Sequence, residues 1–302
     1  MAFTAADVKN LRERTGCGMM DCKKALTESN GDFDKAVEYL REKGLAAAAK
    51  KAGRIAAEGL VLSMVDEAKK VGVVLEVNAE TDFVAKNASF VAFVNDVAKT
   101  IINENPGTVE DLMGKKCIGS DRTVEEELRD KILTIGENIK IRRFERLEGD
   151  LISYVHGDGR IGVMVKFKTD VFANEKFNEF GKDIAMQIAA VTPEYLNEAA
   201  VPAERVAKEK EILTAQAMNE GKPANIAEKM VVGRLKKFFK EICLVDQIFV
   251  KDNEKTIADY VAASAKEMGG SIEIESFIRF EKGEGLEKRE ENFADEIAKM
   301  VQ

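Results

Sequence analysis

The feature that most constrains the fold of this chain is an internal duplication. At an offset of 90 residues, identical residues recur at matched spacing, namely Glu58-Gly59 with Glu148-Gly149, Ser63 with Ser153, Val65 with Val155 and Gly72-Val73 with Gly162-Val163. At an offset of 87 the series continues with Phe90 and Phe177, Phe93 and Phe180, Asp96 and Asp183, Ala98 and Ala185, and Ile101 and Ile188. Shared spacing over this length is hard to obtain by chance, so the sequence predicts two copies of one supersecondary unit.

The apolar pattern of each copy predicts a β-hairpin, a helix and a further strand. Alternating apolar residues predict two hairpins, over 59–77 and 150–167, each closed by a polar turn. Apolar residues at helical spacing then predict a helix that packs one face on a sheet, and further strands follow at 139–144 and 275–280. Strands that alternate in this way bury only one face, as antiparallel sheets do. The predicted fold class is therefore α+β.

Three further modules surround this predicted core. The first 54 residues predict three short helices and a linker, a docking module more than a catalytic domain, because about forty residues make only a marginal core. Within the second repeat, a narrow apolar stripe predicts a protruding antiparallel helical hairpin. The end of the chain predicts a helix with Phe293, Ile297 and Met300 on one face. The predicted division is 1–54, 55–147, 148–282 with the hairpin at about 193–242, and 283–302.

One segment stands out where the first hairpin gives way to its helix. The offset between the copies falls from 90 to 87 between Gly72 and Phe90, so the first copy is three residues longer there. We assign this extra length to Thr81, Asp82, Phe83 and Val84, called here the 81–84 segment. An aromatic side chain in such a place either folds back as a lid on its own sheet or contacts a partner. Because the second copy folds without the extra length, a partner contact is favoured.

Composition and charge narrow the classes of function. A formal net charge of −8 disfavours a nucleic-acid binder that relies on phosphate neutralisation. Residues 1–54 carry 11 Lys and Arg against 8 Asp and Glu, a mild excess that favours a protein partner. No apolar run approaches the length of a membrane-spanning helix, and the N-terminus lacks the layout of a signal peptide. We therefore expect a cytoplasmic protein that binds neither membranes nor nucleic acid directly.

The sequence contains no recognisable catalytic or metal-binding motif. A Walker loop, a nucleophile elbow and a zinc helix are all missing. A single His156 cannot complete a zinc site, and the cysteines lack metal-ligand spacing; they are Cys17, Cys22, Cys117 and Cys243. We expect no covalent catalysis, no metal and no cofactor.

Two other pairs of residues are candidate contacts with a protein partner. Met19 and Met20 are adjacent on a predicted helix, so both cannot face one side of it, and Met side chains suit adaptable interfaces. His156 and Gly157 lie at the tip of the second predicted hairpin. A lone exposed His is more often a plain surface residue than a catalyst, and nothing in the sequence would orient it.

Recognisable motifs occur along the whole chain, at residues 15–26, 78–86, 156–157 with 160–162, 229–231 with 233–234, and 277–280. Together they resemble the bacterial elongation factor Ts family. The sequence departs from the family pattern at Cys17, where Ala is common, at Ala79, where Cys is common, and at Ile248, where Pro is usual. None of these departures falls within the 81–84 segment.

This resemblance implies a guanine-nucleotide exchange factor for elongation factor Tu, acting on its GDP-bound and nucleotide-free forms. It implies that residues 1–54 adopt a ubiquitin-associated three-helix fold that docks on the partner's G domain. Thr81, Asp82, Phe83 and Val84 would displace Mg²⁺ from the partner's nucleotide site. The second half, including His156 and Gly157, would contact the G domain or the third domain, and the C-terminal helix would pack back on the G domain. A homodimer or a two-plus-two complex is compatible with this reading.

Two other classes of function remain open on the sequence. One is an adaptor outside translation whose three-helix head binds other proteins, since the helical hairpin carries no chemistry of its own. The other is an enzyme, the weakest of the three because the chain lacks any catalytic motif. An exchange factor loses affinity for its partner when residues 1–54 are deleted, whereas an adaptor has no effect on nucleotide exchange with or without them.

Overall fold

The computed structural model describes residues 3–15, 17–221 and 223–287, which fold into a mixed arrangement of helices and small antiparallel sheets. The predicted α+β class is thus confirmed. The helix predicted over 290–300 lies outside these ranges, and Lys282 to Gly285, which are described, form a turn.

In chain order the helices are α1 (Ala5–Thr15), α2 (Met19–Glu28), α3 (Phe33–Lys51), α4 (Asp82–Ala85), α5 (Ala88–Glu104), α6 (Val109–Met113), α7 (Val124–Ile135), α8 (Phe177–Val191), α9 (Ala203–Asn219), α10 (Ala224–Ile242) and α11 (Ile257–Met268). The strands are β1 (Glu58–Asp66), β2 (Val71–Ala79), β3 (Lys140–Glu148), β4 (Asp150–His156), β5 (Ile161–Thr169), β6 (Ile248–Phe249), β7 (Asp252–Thr256) and β8 (Ile272–Glu281).

The three N-terminal helices enclose a small core of their own, built on Leu11, Cys22, Leu26 and Leu40. A glycine after a helical stretch predicts a helix end, and Gly44 is such a residue after Phe33 to Leu40. That prediction is wrong, because α3 continues to Lys51. The Ala-rich run that follows Gly44 favours helix. Gly44 itself is buried, and a Cβ there would lie 3.6 Å from a methyl carbon of Leu133 on α7. This glycine therefore lies within α3 at its contact with α7 and does not act as a cap.

Two three-stranded antiparallel sheets form the centre of the molecule, with strand orders β1-β2-β3 and β4-β5-β8. The strand registers are related by the 90-residue offset, since Val65 pairs with Gly72 and Val155 with Gly162. Even the irregularities match. The register between the second and third strands of each sheet shifts after Glu76 in one and after Lys166 in the other.

The structural repeat extends beyond the hairpin, helix and strand that the sequence predicts. Helices α7 and α11 each begin with a capping box, at Thr123 and at Thr256, and each ends at a left-handed glycine. These glycines are Gly136 (φ 88°) and Gly269 (φ 76°). Both pairs are related by an offset of 133 residues. The sequence comparison missed them because the helical hairpin inserted in the second copy enlarges the offset beyond 87.

The two sheets pack face to face around Val61, Val74, Leu151, Met164 and Phe280. Glycine at positions 72 and 162 makes this close approach possible. A Cβ on Gly72 would lie 2.5 Å from Met164 Sδ and 3.0 Å from Leu151 Cδ1. A Cβ on Gly162 would lie 2.5 Å from Val61 Cγ1 and 3.3 Å from Val74 Cγ1, the residues that correspond to Leu151 and Met164 at the offset of 90. Since each glycine meets the partner copy at equivalent residues, the two repeats associate in the self-complementary manner of an isologous dimer.

A buried carboxylate connects the first sheet to the turn after β8. Glu76 is fully buried and accepts hydrogen bonds from Arg142 Nη1 (3.0 Å), Arg143 Nε (2.6 Å), Gly283 N (2.8 Å) and Asn78 Nδ2 (3.0 Å). Burial by itself raises the pKa of a carboxyl group, but the hydrogen bonds from these four residues outweigh it and hold the pKa of Glu76 below its ordinary value. The ionised form of Glu76 is therefore part of the folded structure.

The insertion in the second copy is a helical hairpin made of α9 and α10. Its base is packed around Val201, Phe239, Ile242 and Cys243. No helix in the described part of the chain, in this hairpin or elsewhere, is both long enough and apolar enough to cross a membrane.

Candidate functional site

The 81–84 segment joins β2 to α5 through one short helical turn, α4, instead of an open loop. Asn87 begins α5, because its side-chain oxygen accepts hydrogen bonds from the amides of Ser89 (2.9 Å) and Phe90 (3.3 Å). Residues at successive positions of so short a helix point in different directions. The consequence is that neighbouring side chains of this segment have opposite environments.

Val84 and Phe83 show this difference most clearly. Val84 is only 5% exposed and belongs to the core of the first repeat. Phe83 is 81% exposed, and Asp82 next to it is also exposed. The interpretation of Phe83 as a lid on its own sheet is therefore wrong. Val84 anchors the segment, and Phe83 projects from it into solvent.

A single carboxylate holds the start of the segment. Glu137 Oε2 accepts hydrogen bonds from the amides of Glu80 (3.1 Å) and Thr81 (3.0 Å), and its Oε1 accepts one from the Thr81 hydroxyl (2.6 Å). Glu80 in turn accepts a hydrogen bond from the Asn138 amide at 2.6 Å. Sequence reasoning missed Glu137, since it lies 56 residues from Thr81 and no local motif marks it.

The same turn also holds the linker that follows α3. Asn138 donates a side-chain hydrogen bond to the Arg54 carbonyl at 2.8 Å, and Arg54 Nη1 lies 3.4 Å from Glu80 Oε1. Lys51 Nζ donates to the Ile132 carbonyl of α7 at 3.2 Å. The linker and the 81–84 segment are thus attached to one support, the end of α7 and the turn after it.

An open cleft of about 510 Å³ lies beside Phe83. Its lining comes from three places: Thr15 at the end of α1, Phe83 with Asn87, and Asp130 with Lys131 on α7. The three-helix module and the 81–84 segment therefore border one surface. His156 and Gly157 are not among the residues that line it.

Met19 and Met20 lie at the start of α2 and are 41% and 72% exposed. The side of α2 that faces the small N-terminal core is formed by Cys22, Ala25 and Leu26. Neither methionine belongs to that core. Their contact with a partner remains a prediction.

His156 ends β4 at an exposed position, and its Nδ1 lies 3.0 Å from the Tyr154 hydroxyl. The expectation that nothing orients this imidazole is therefore wrong. The turn after it has positive φ at Gly157 (61°) and Gly159 (88°). The Gly159 carbonyl accepts a hydrogen bond from the Val61 amide at 2.7 Å, so the tip of the second hairpin rests on the first sheet.

Comparisons with known proteins agree with one another. Residues 80–284 match the sequence profile of the family Elongation factor TS. The chain is 57% identical over 301 residues to Elongation factor Ts of Clostridium perfringens (strain 13 / Type A), an alignment that covers 99% of each. It is 54% identical over 304 residues to Elongation factor Ts of Clostridium kluyveri (strain NBRC 12016), again over 99% of each. Elongation factor Ts of Clostridium novyi (strain NT) is 54% identical over 302 residues, covering 99% of this chain and 98% of that protein.

Proposed function

The chain belongs to the elongation factor Ts family, a family of translation elongation factors, and on that premise we propose that it is a guanine-nucleotide exchange factor. It binds elongation factor Tu in complex with GDP, displaces Mg²⁺ and GDP, and leaves a nucleotide-free partner to which GTP binds. The observation that carries this proposal is the 81% exposure of Phe83 on a segment fixed by Val84 and Glu137.

The exposure of Phe83 has an energetic meaning. Full burial of a Phe side chain stabilises a protein by roughly 1.5–3 kcal/mol, and the fold forgoes this by leaving Phe83 in solvent. Insertion of the ring between elements of a partner recovers that free energy. Because the backbone around Phe83 is already held in place, little conformational entropy is lost when the ring inserts.

The target of this insertion is the site where the partner holds GDP. A GTPase binds GDP through backbone donors to the phosphates and through Mg²⁺ that bridges phosphate oxygens. Mg²⁺ demands near-ideal octahedral geometry, so a small displacement of the elements around it weakens its binding strongly. Phe83 supplies the displacement, and the exposed Asp82 carboxylate changes the electrostatic surroundings of the ion and the phosphates.

Exchange by this route needs no covalent reaction and no cofactor on this chain. The factor lowers the affinity of the partner for nucleotide, and linkage requires that GDP and GTP each lower the affinity of the partner for the factor by the same ratio. GTP that enters the empty site therefore expels the factor. The reaction is driven by the relative concentrations of the nucleotides.

We infer that the remaining modules provide affinity and orientation. Residues 1–54 dock on the partner's G domain as a ubiquitin-associated-like module, a role supported by their separate core and by the exposed Met19 and Met20. His156 and Gly157 form a second contact from the other repeat. The core is divided into repeats at 55–147 and 148–282, and 283–302 form a C-terminal contact.

Size-exclusion chromatography tests the proposal. We expect the chain to co-elute with elongation factor Tu that was loaded with GDP, and we expect the complex to contain no nucleotide when the denatured fractions are assayed by anion exchange. Added GDP should separate the two proteins, as linkage requires. The elution volume also distinguishes a one-to-one from a two-plus-two complex. A complex that retains GDP would contradict exchange by this chain, and separate elution would favour the adaptor, whose partners lie outside translation.

A further inference from the structure

Each repeat contains a contact between the end of its second strand and the turn after its capped helix, called here the corner. In the first repeat the corner holds the 81–84 segment. In the first repeat, Glu80 at the end of β2 accepts a hydrogen bond from the Asn138 amide at 2.6 Å. In the second, Asp170 at the end of β5 accepts one from the Ser271 amide at 2.7 Å. The acids are related by the offset of 90 and the amides by the offset of 133. The same hydrogen bond, from a backbone amide to a carboxylate, therefore forms in both repeats.

The acid and the amide donor are of similar kind in the two corners, but the residue before the amide donor is not. The first repeat has Glu137 there, whereas the second has Gly270. A Cβ on Gly270 would lie 2.4 Å from both Asp170 Oδ1 and Val171 Cγ1, so the chain packs directly over this glycine and leaves no room for a side chain. In the first repeat that room is taken by the Glu137 carboxylate with its three hydrogen bonds.

The aromatic residues that follow take opposite directions in the two repeats. Phe172 is half-buried against the second core, with its ring centroid 5.0 Å from that of Phe177. Phe83, in the repeat whose connection is three residues longer, is 81% exposed. The aromatic side chain thus points toward the core in the repeat that has Gly270 and into solvent in the repeat that has Glu137.

We propose that Glu137 is the positioning residue that holds the 81–84 segment in its outward conformation. It acts through Thr81 and Glu80 and does not itself contact the nucleotide. The effect of Glu137 on nucleotide release rests on the proposed exchange function. Its effect on the conformation of the 81–84 segment does not. The contribution of Glu137 comes from the placement of its oxygens. The substitution Glu137→Gln would remove the charge and keep one oxygen for the two amides, while its NH2 group would donate to the Thr81 hydroxyl in place of the oxygen that accepts from it.

Two measurements on the full chain test this role. Amide hydrogen exchange, followed by NMR at Glu80 and Thr81, reports whether the segment is held. Stopped-flow release of mant-GDP from elongation factor Tu, measured at several concentrations of the chain, separates the saturating rate from the half-saturating concentration. The variants are Glu137→Ala, Glu137→Gln and, as a matched control, Glu104→Ala, which removes an exposed carboxylate from the end of α5. Thermal unfolding of each variant checks that it is folded.

In Glu137→Ala the amide exchange rates at Glu80 and Thr81 should rise at least about tenfold, since three hydrogen bonds are lost. The saturating release rate should fall about tenfold, while the half-saturating concentration changes less than about threefold, because misplacing a group that acts in the rate-limiting step affects the rate more than binding. Glu137→Gln should stay within about threefold of wild type in both measurements. Glu104→Ala should match wild type.

Thr81→Val supplies a milder variant that removes only the hydroxyl bond, and its saturating rate should fall between those of Glu137→Gln and Glu137→Ala. Unchanged amide exchange in Glu137→Ala would overturn the inference. So would a Glu137→Gln variant as slow as Glu137→Ala, because an oxygen kept in place for the two amides would then not be enough to hold the segment. If the wild-type chain fails to accelerate release, the proposed function fails, and the amide data still decide whether Glu137 holds the segment.

Discussion

Phe83→Ala should slow the release of GDP from elongation factor Tu at a saturating concentration of the chain by about ten- to a hundredfold. This range follows from the roughly 1.5–3 kcal/mol gained when a Phe side chain is buried and from the tenfold change in rate per 1.4 kcal/mol. The stability of the isolated chain should stay within about 0.5 kcal/mol of wild type, because Phe83 is 81% exposed and makes little contact with its own fold. Stopped-flow fluorescence of mant-GDP and urea unfolding measure the two quantities.

Phe172→Ala is the matched control for this prediction. Phe172 occupies the corresponding connection of the second repeat but packs against the core through Phe177. Its truncation should lower the free energy of unfolding by about 1–3 kcal/mol and leave the release rate per folded molecule unchanged. The reverse pattern, with stability lost in Phe83→Ala and release lost in Phe172→Ala, would contradict the assignment of the two aromatic residues.

Glu76→Ala should lower the free energy of unfolding by about 3 kcal/mol, the lower end of the range for removing one member of a buried ion pair. The lower end applies because Arg142 and Arg143 keep 20% and 31% of their side-chain surface exposed. Lys166→Ala is the matched control, since Lys166 is the residue equivalent to Glu76 in the second repeat. It is 32% exposed and pairs with Glu275 at 3.1 Å, so its loss should cost less than about 1 kcal/mol. Equal stabilities for the two variants in urea would contradict the prediction.

The pH dependence of the free energy of unfolding gives a second test of the contribution of Glu76 to stability. The pKa of this carboxyl group in the folded chain lies below its ordinary value of 4.5, held there by its hydrogen bonds in spite of burial. The unfolded chain therefore binds this proton at a higher pH than the folded chain does, so the stabilisation is present above pH 4.5 and is lost as the pH falls through the folded pKa. Urea unfolding across this range should show a larger loss of stability in wild type than in Glu76→Ala.

The duplication explains how much of the fold is visible in the sequence. Identities at offsets of 90 and 87 fall on strands and helices whose apolar residues face a sheet, where packing restricts the choice of residue. The capping boxes at Thr123 and Thr256 also repeat. Because α9 and α10 are inserted between them, their offset is 133 instead of 87 or 90. A search at the offset of 133 would have found them. It would also have set Glu137 against Gly270.

The candidate site is less visible, because its geometry depends on contacts between distant residues. Residue chemistry alone left Phe83 between a lid and a partner contact. Its segment is held by Val84 in the core and by Glu137 in the turn after α7. Gly44 illustrates the same limit: glycine after a helical stretch indicates a cap, yet here it is the place where α3 packs against Leu133.

The proposed function is tested most directly by the release of nucleotide from elongation factor Tu. The direct test mixes the partner, loaded with mant-GDP, with excess unlabelled GDP and increasing concentrations of the wild-type chain, and follows the loss of fluorescence. We expect a release rate that rises with the concentration of the chain and saturates at about a hundred times the spontaneous rate. A coupling free energy of about 3 kcal/mol, the upper end of the usual range, lowers the affinity for nucleotide by about that factor, and most of such a loss lies in the dissociation rate. A release rate that stays at the spontaneous value at every concentration of the folded chain would contradict the proposed function.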